Sequence, residues 1–119
     1  MATPLVLVVD DDSLLRIDTA EILEDAGFEV LQAPDAASAL TVLKEKSGIQ
    51  LVCTDVHMPG ELDGIDLALR IREHFPHIKV IIVSALAKLQ GRLSGAPFLV
   101  KPFAPMRLVD VAREQLGVV

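Results

Sequence analysis

Two kinds of hydrophobic pattern alternate along the chain: short runs of aliphatic and β-branched residues, and longer segments in which apolar residues recur with a period near 3.6 residues. The short runs are typical of buried strands, and the longer segments are typical of amphipathic helices. The pattern predicts strands at Leu5–Val9, Phe28–Ala33, Ile49–Thr54, Lys79–Val83 and Phe98–Val100. It predicts helices over residues 13–26, 36–46, 65–75 and 105–116.

Capping residues and spacing give the helices their predicted limits and inward faces. Ser13 is a favourable N-cap residue, and Gly27 suits a helix C-terminus. On the first helix the spacing predicts an inward face of Leu15, Thr19, Ile22, Leu23 and Ala26. On the third it predicts an inward face of Ile65, Ala68, Leu69 and Arg72.

The order of these elements predicts the fold class. Five strands that alternate with helices indicate an α/β protein whose parallel sheet is covered by helices on both faces. Phe28–Ala33 has the weaker apolar pattern and should lie at an edge, which fits the strand order 2-1-3-4-5 of the flavodoxin-like doubly wound fold. In Ala85–Pro97, Gly91 and Gly95 disfavour a regular helix, so the helix between the fourth and fifth strands, which is the fourth helix of this fold, should be short at most.

Length and composition restrict the class of protein. The chain has 119 residues, and we expect one domain over residues 1–119. No apolar run approaches the ~20 residues that span a bilayer, and Met1–Pro4 has no basic region of a signal peptide. We therefore expect a cytoplasmic protein with no membrane partner. The net charge of −6 argues against direct nucleic-acid binding, and the single cysteine, Cys53, argues against a disulfide framework or a thiolate zinc site.

Charged or polar residues follow four of the five predicted strands. Asp10, Asp11 and Asp12 come after the first strand and Asp55 after the third. Ser84 and Lys101 follow the fourth and fifth. The carboxyl ends of parallel strands meet at one edge of a sheet, where open α/β sheets bind their ligands. These side chains should therefore share one pocket.

Grouped carboxylates with a lysine indicate metal-assisted phosphoryl transfer. Neighbouring carboxylates repel one another, and a divalent cation such as Mg²⁺, Ca²⁺ or Mn²⁺ relieves that repulsion. An aspartate flanked by a cation and Lys101 can form an acyl phosphate. Each residue alone also has an ordinary explanation: Asp10–Asp12 suit a helix N-terminus, Ser84 suits a turn, and Lys101 suits a solvated surface. Chance placement of such residues at four of the five strand ends is a weaker explanation than one shared site.

The motifs at these positions resemble those of the receiver domains of two-component response regulators, the CheY-like family. The resemblance runs from Leu5 to Leu116 and rests on Val8-Val9-Asp10-Asp11, Asp55, Met58-Pro59-Gly60, Asp63-Gly64, Ser84-Ala85 and Lys101-Pro102-Phe103. It implies a signalling switch that is not a turnover enzyme. The partners that it implies are a histidine kinase or phosphotransfer protein and a protein output partner, with the chain a monomer or weak homodimer.

The resemblance also implies roles for the residues of the pocket. Asp55 looks like the phosphoacceptor and, with Asp11, a direct ligand of Mg²⁺. The backbone carbonyl of His57 would be a further ligand, and Asp10 would act through a water. Lys101 would pair with Asp55 and then with the phosphoryl group.

Two further positions correspond to the switch of the family. Ser84 would move toward the phosphoryl group and draw its loop inward. Phe98 stands at the aromatic switch position, three residues before Lys101, and would turn inward with it. Phe98 lacks the hydroxyl of tyrosine, so its ring could face inward without phosphate. The peptide bond before Pro102 is expected to be cis.

The chain departs from the usual family pattern on two stretches beside these positions. Ala85–Val100 is several residues shorter than usual between the hydroxyl and the lysine, which places the output surface and dimer mode in question. The loop at Gly60-Glu61-Leu62-Asp63 has one residue more than the commonest form, beside the phosphoacceptor.

Two rival functions use the same residues differently. A haloacid dehalogenase-type phosphatase would use Asp10 as nucleophile with Asp12 two residues on, but Leu14 stands where that motif wants Thr or Val. A flavin or nucleotide binder would need a phosphate-binding loop after the first strand, where three aspartates would repel a phosphate. Phosphoryl label on Asp10 would favour the phosphatase, and label on Asp55 would favour the receiver.

Overall fold

Strands and helices alternate along the part of the chain that the computed structural model describes, residues 3–117; the outermost residues of the predicted 1–119 domain lie outside it. The strands of residues 3–117 are β1 (Leu5–Val9), β2 (Glu29–Ala33), β3 (Ile49–Asp55), β4 (Lys79–Ser84) and β5 (Phe98–Val100). The α-helices of the same range are α1 (Ser13–Asp25), α2 (Ala36–Glu45), α3 (Gly64–His74) and α4 (Pro105–Leu116). A 3₁₀ turn at Ala87–Leu89 lies between β4 and β5.

The sheet confirms the predicted fold class. Its order is β2-β1-β3-β4-β5, and every pair of neighbouring strands is parallel. β2 lies at an edge, as its weaker apolar pattern predicted. Of the helices described, none combines the length and the apolar character that crossing a bilayer requires.

Helices cover both faces of the sheet, and each face has its own aliphatic core. On the first face α1 and α4 pack on the strands through Leu23, Leu108, Val111 and Ala112. On the second face α2 and α3 pack through Ala36, Ala39, Leu43, Leu67 and Ile71. Because side chains of a strand alternate between faces, β1 contributes Val6 and Val8 to the first core and Leu7 and Val9 to the second.

Residues 85–97, which we call the bridging segment, connect β4 to β5 in place of a regular helix. Its only regular element among the described residues is the 3₁₀ turn, so the prediction of at most a short helix between β4 and β5 is confirmed. Leu93 is 7% exposed and packs against Ala68 of α3 and Ile82 of β4. The guanidinium of Arg72 donates a hydrogen bond to the backbone carbonyl of Ser94. The segment is therefore anchored to α3.

Two predictions for α1 were wrong. α1 is capped by Asp12, whose carboxylate accepts the backbone N–H groups of Leu14 and Leu15, and Ser13 is the first helical residue. The predicted inward side chain of Leu15 is 44% exposed.

The inward face of α3 is one residue out of phase with the prediction. The buried residues are Gly64, Leu67, Ala68 and Ile71, while Leu69 and Arg72 are exposed. The observed face buries Leu67 and Ile71 in place of Leu69 and Arg72, and Gly64 lies on the same face, where the helix meets the backbone of Asp55.

Candidate functional site

The structure brings three carboxylates together at the carboxyl edge of the sheet. Asp10 and Asp11 follow β1, and Asp55 is the last residue of β3. One carboxylate oxygen from each lies within 4.8 Å of those of the other two. Asp10 is buried, Asp55 is half-buried and Asp11 is exposed, so the cluster opens to solvent on one side.

Lys101, just after β5, supplies the cation of this cluster. Its Nζ donates a hydrogen bond to Oδ2 of Asp10 at 3.1 Å and lies 3.7 Å from Oδ1 of Asp55. The resemblance implied that Asp55 would be its partner. The side chain of Asp10 is 7% exposed and that of Asp55 is 15% exposed, so the deeper carboxylate takes the shorter contact. A buried charge depends more on a partner than an exposed one does.

Burial sets the electrostatics of Asp55. Removal from water raises the pKa of its carboxyl above the ordinary value; Lys101 opposes that rise, and the nearby charge of Asp10 adds to it. The N–H of Val56 donates to Oδ1 of Asp55 at 2.9 Å and lowers the pKa in part. A further positive charge beside Asp55 would stabilise its ionised carboxylate.

The donor set fits a hard divalent cation. The three side chains that converge here offer carboxylate oxygens, and no sulfur or imidazole ligand joins them within the described cluster. Oxygen-only ligation of this kind suits Mg²⁺ and related ions. The nearby Cys53 is buried, and burial raises the pKa of its thiol to about 12, so it stays protonated and is no ligand.

Ser84 and Asp12 have different hydrogen-bond partners, and we infer different roles from them. Ser84 is 1% exposed, and its hydroxyl oxygen accepts the N–H of Leu86 at 3.1 Å. The carbonyl of Ser84 accepts the N–H of Lys101 at 2.9 Å, which ties the ends of β4 and β5 together. The carboxylate of Asp12 is committed to the cap of α1, so it does not join Asp10 in the pocket.

The remaining predicted positions lie around the rim. The side chain of His57 is exposed. Phe98 is half-buried and packs against a cluster that includes Ile82 and Leu93. The peptide bond between Lys101 and Pro102 is cis.

Arg16 is a site residue that the sequence did not reveal. Its Nη1 donates to the backbone carbonyl of Asp10 at 2.8 Å, and its Nε donates to the side chain of Gln32 at 3.2 Å. Arg16 thereby ties the loop after β1 to the end of β2. Its position in the first turns of α1, directly after an acidic run, was the one available indication.

Two hydrogen bonds that the sequence did not reveal hold the backbone at Asp55 and Val56. The hydroxyl of the fully buried Thr54 donates to the carbonyl of Asp55 at 2.8 Å. The N–H of Gly64 donates to the carbonyl of Val56 at 2.8 Å. A Cβ at position 64 would lie 1.9 Å from the carbonyl oxygen of Asp55, so only glycine permits this approach.

A comparison with models of protein families shows the family to which this chain belongs. The model of the response regulator receiver domain matches residues 6–113. The chain belongs to this family. It is therefore a receiver domain of two-component response regulators, a class of signalling domain. The phosphatase alternative on Asp10 finds no support, because Asp12, its required second carboxylate, caps α1 instead.

Curated relatives place receiver domains in proteins of different lengths. The chain is 38% identical to the response regulator protein FleR of Pseudomonas aeruginosa over 118 residues, which cover 94% of this chain and 24% of FleR. It is 38% identical to the chemotaxis protein CheY-3 of Vibrio cholerae over 113 residues, 88% of this chain and 85% of that protein. The receiver domain thus spans about a quarter of FleR and most of CheY-3.

Solved structures share the fold over almost the whole chain. A CheY-like receiver domain protein from Methanospirillum hungatei superposes with a TM-score of 0.88 and 28% identity, covering 98% of this chain and 95% of that one. The response regulator TrrA of Thermotoga maritima, in complex with Mg²⁺–BeF, superposes with a TM-score of 0.87 and 28% identity, covering 95% of this chain and 99% of that one.

Proposed function

We propose that this receiver domain accepts a phosphoryl group on Asp55 from a phosphohistidine of a histidine kinase or phosphotransfer protein. The observation that carries the proposal is the convergence of Asp10, Asp11 and Asp55 within 4.8 Å, with Lys101 Nζ 3.7 Å from Asp55. The pKa of Asp55 is raised, and its carboxylate is partly open to solvent. A donor can therefore reach Asp55.

The transfer uses the residues of the cluster in distinct ways. A carboxylate oxygen of Asp55 attacks phosphorus, the P–N bond of phosphohistidine breaks, and the departing imidazole takes up a proton. The ammonium of Lys101 faces the negative charge of the phosphoryl oxygens. The N–H of Val56 holds the other carboxylate oxygen, so the nucleophile is oriented before the donor arrives.

Asp10, Asp11 and Asp55, with the backbone carbonyl of His57, would hold Mg²⁺. The ion would offset the mutual repulsion of the carboxylates and the charge of the phosphoryl oxygens. The complex of the related TrrA with Mg²⁺–BeF supports this assignment. Within this chain, the hydrogen bonds of Asp10 to Lys101 and to the N–H of Asp12 keep its carboxylate oriented.

Ser84 and Phe98 would transmit the effect of phosphorylation from Asp55 to the surface of the domain. The hydroxyl of Ser84 accepts the N–H of Leu86, and its own proton remains available to a phosphoryl oxygen. Movement of Ser84 would therefore pull on the start of the bridging segment. Phe98, packed against Ile82 and Leu93, lies where it would sense that movement. A single domain over residues 1–119, a cytoplasmic location and a monomer or weak homodimer remain expectations.

Chemical mapping of the phosphorylated residue tests the proposal. The protein is incubated with acetyl phosphate, with and without Mg²⁺, then reduced with borohydride and digested. Borohydride converts an aspartyl phosphate to homoserine, and we expect homoserine at position 55 in a Mg²⁺-dependent manner. Homoserine at position 10 would instead indicate the phosphatase chemistry, and no modified residue would contradict both.

An apolar patch beside the pocket gives the phosphodonor a docking surface. Leu14 is 79% exposed, and Leu15 and Ile17 are each 44% exposed. Leu15 also lines a cavity of about 410 Å³ together with Lys101 and Phe103. Through Leu15 the patch therefore borders Lys101, whose Nζ lies 3.7 Å from Oδ1 of Asp55.

Replacing Leu14 and Leu15 by Ser should slow phosphoryl transfer from a phosphorylated histidine phosphotransfer protein by about tenfold, because buried apolar anchors carry most docking energy. Phosphorylation by acetyl phosphate should not change, because it needs no docking. Leu69→Ser, at a 47% exposed leucine on α3, is the matched control and should leave both rates intact. Equal slowing with both donors would disprove docking at this patch.

A further inference from the structure

Arg16, in the first turns of α1, binds oxygen atoms at the ends of two neighbouring strands. Its Nη1 donates to the backbone carbonyl of Asp10, the residue after β1, at 2.8 Å, and its Nε donates to Oε1 of Gln32 in β2 at 3.2 Å. Helical side chains point back toward the start of their helix, so this arginine can reach the strand that precedes α1. Arg16 therefore connects α1, the end of β1 and the end of β2.

The acceptors of Arg16 are neutral oxygens, not carboxylates. Three carboxylates precede Arg16 closely in the sequence, those of Asp10, Asp11 and Asp12. Arg16 nevertheless takes no part in the ion pairs found within residues 3–117. An arginine that served only to balance these charges would be expected to pair with one of the carboxylates, because charge-assisted hydrogen bonds are the stronger ones. The contacts of Arg16 thus indicate a geometric role.

The carbonyl that Arg16 binds belongs to the peptide group between two carboxylates of the acidic cluster. A peptide group is planar, so a hydrogen bond to its oxygen restricts the torsions on both sides of it, ψ of Asp10 and φ of Asp11. These torsions set where the two side chains point relative to each other. The N–H of Asp10 is held as well, because it donates to the carbonyl of Ala33 at 3.2 Å. The backbone of Asp10 is thus fixed to β2 on both sides.

Asp11 depends more on this backbone contact than Asp10 does. The carboxylate of Asp10 accepts two hydrogen bonds of its own, from Nζ of Lys101 at 3.1 Å and from the N–H of Asp12 at 3.0 Å. The side chain of Asp11 is exposed, so little packing restrains it. Its position, with an oxygen within 4.8 Å of those of Asp10 and Asp55, therefore depends on the direction that its backbone imposes.

We propose that Arg16 is a positioning residue of the metal site, which holds the peptide group between Asp10 and Asp11 against the end of β2 and so preorganises both carboxylates for a divalent cation. A planar guanidinium can fix two acceptors at once, which the single ammonium of a lysine does less well. Groups that orient metal ligands commonly change the metal affinity by roughly 10- to 100-fold. The inference rests on the proposed function, because it requires the cation site of the acidic cluster.

The charge of Arg16 and its positioning role predict opposite effects when the side chain is replaced. A guanidinium repels a metal cation, so loss of its charge alone should tighten metal binding. Loss of the contact with the Asp10 carbonyl should weaken metal binding, because the cation must then order Asp11 itself. Arg16→Met keeps a long side chain but removes both the charge and the donors, so the direction of the change in affinity separates the two roles. An arginine that served only the stability of the fold would leave the affinity of the folded protein unchanged.

Titration with Mn²⁺ tests this inference. Mn²⁺ takes the same oxygen ligands as Mg²⁺, and its binding is measured by the loss of the electron paramagnetic resonance signal of the free ion. We expect Arg16→Met to weaken Mn²⁺ binding about tenfold. Gln32→Leu, which keeps Arg16 but removes its second acceptor, should weaken binding by a smaller factor, and it should add nothing to Arg16→Met because both act through one contact. The Mg²⁺ concentration that half-saturates phosphorylation by acetyl phosphate should rise in parallel, with the rate at saturating Mg²⁺ close to that of wild type.

Arg70→Met is the matched control, because it removes the same charge at an exposed arginine of α3 and should leave Mn²⁺ binding unchanged. Unchanged or tighter binding in Arg16→Met, unchanged binding in Gln32→Leu, or an equal loss in the control would overturn the inference. If Arg16→Met does not fold, the exposed Gln32 still decides the question through its own variant. A wild-type protein that binds no Mn²⁺ would overturn the proposed metal site together with this inference. Binding by wild type with the same affinity in both variants would overturn the role of Arg16 alone.

Discussion

Asp55→Asn is expected to abolish the phosphoryl adduct that the wild-type protein forms with acetyl phosphate and Mg²⁺. An amide is not a nucleophile toward phosphorus, and the other two carboxylates of the cluster are placed differently: Asp10 is bound to Lys101 and Asp11 is exposed. Intact-protein mass spectrometry should show a single phosphoryl addition in wild type and none in the variant.

Asp12→Asn is the matched control for that experiment. It removes a neighbouring carboxylate, but Asn caps a helix about as well as Asp does, so α1 should keep its cap. This variant should be phosphorylated like wild type. An adduct that persists in Asp55→Asn, or that disappears in Asp12→Asn, would contradict the assignment of the phosphoacceptor.

The same Asp55→Asn substitution should raise the free energy of unfolding at neutral pH in the absence of Mg²⁺. The folded-state pKa of Asp55 is raised, so the folded wild type binds more protons than the unfolded chain and loses stability as pH rises above the ordinary value of 3.8. The Asp55→Asn variant has no ionisable group at this position, so it does not lose stability in this way. Urea unfolding should show the largest advantage of the variant near pH 7 and a shrinking advantage as the pH falls toward 3.8. An advantage independent of pH would contradict burial of the charge as its cause.

The fold and the centre of the site could be predicted because they depend on features that a single sequence shows. Short apolar runs mark strands that are buried on both faces, and helices between them require a parallel sheet. Once the sheet is parallel, the residues after its strands must meet at one edge. Asp10, Asp55 and Lys101 follow different strands, and this rule alone places them together.

Contacts that depend on tertiary geometry could not be predicted in the same way. Arg16 lies on a helix among acidic residues and resembles any solvated arginine, but the end of β2 brings Gln32 within its reach. The apolar residues of α3 fit two neighbouring faces, and the structure buries the one with Leu67 and Ile71, on which Gly64 approaches the backbone of Asp55. The preference of Lys101 for Asp10 follows from the depth of that carboxylate, which periodicity does not reveal.

The two stretches that the sequence analysis set apart from the usual family pattern are both packed against the core. In the longer loop before α3, Gly60 adopts a φ of 103° that L side chains rarely adopt, while Met58 and Leu62 pack against the second core. In the bridging segment, Leu93 packs in one cluster with Ala68 of α3. Beside these two stretches, carboxylate oxygens of Asp10, Asp11 and Asp55 still lie within 4.8 Å of one another.

Gly64→Ala should be the most damaging conservative substitution in the chain. An added Cβ would lie 1.9 Å from the carbonyl oxygen of Asp55 and 2.8 Å from Cα of Val56, both of them backbone atoms that cannot rotate away. Either α3 or the end of β3 must shift. Gly64 does not have a positive φ, so the whole cost is steric. We expect a loss of about 3 kcal/mol or more in the free energy of unfolding, a large part of the stability of a small domain.

Gly48→Ala separates this collision from the general cost of replacing glycine. Gly48 has a φ of 90°, and no heavy atom lies within 4 Å of the point that an added Cβ would occupy, so its replacement costs only backbone strain, about 1–2 kcal/mol. Urea unfolding of the two variants should therefore differ by more than about 1 kcal/mol. Because Gly64 contacts Asp55 itself, its variant should also be phosphorylated more slowly under conditions where both variants are folded. Equal stability and equal rates in the two variants would show that α3 can withdraw from Asp55 without cost, and that the position of the phosphoacceptor does not depend on this contact.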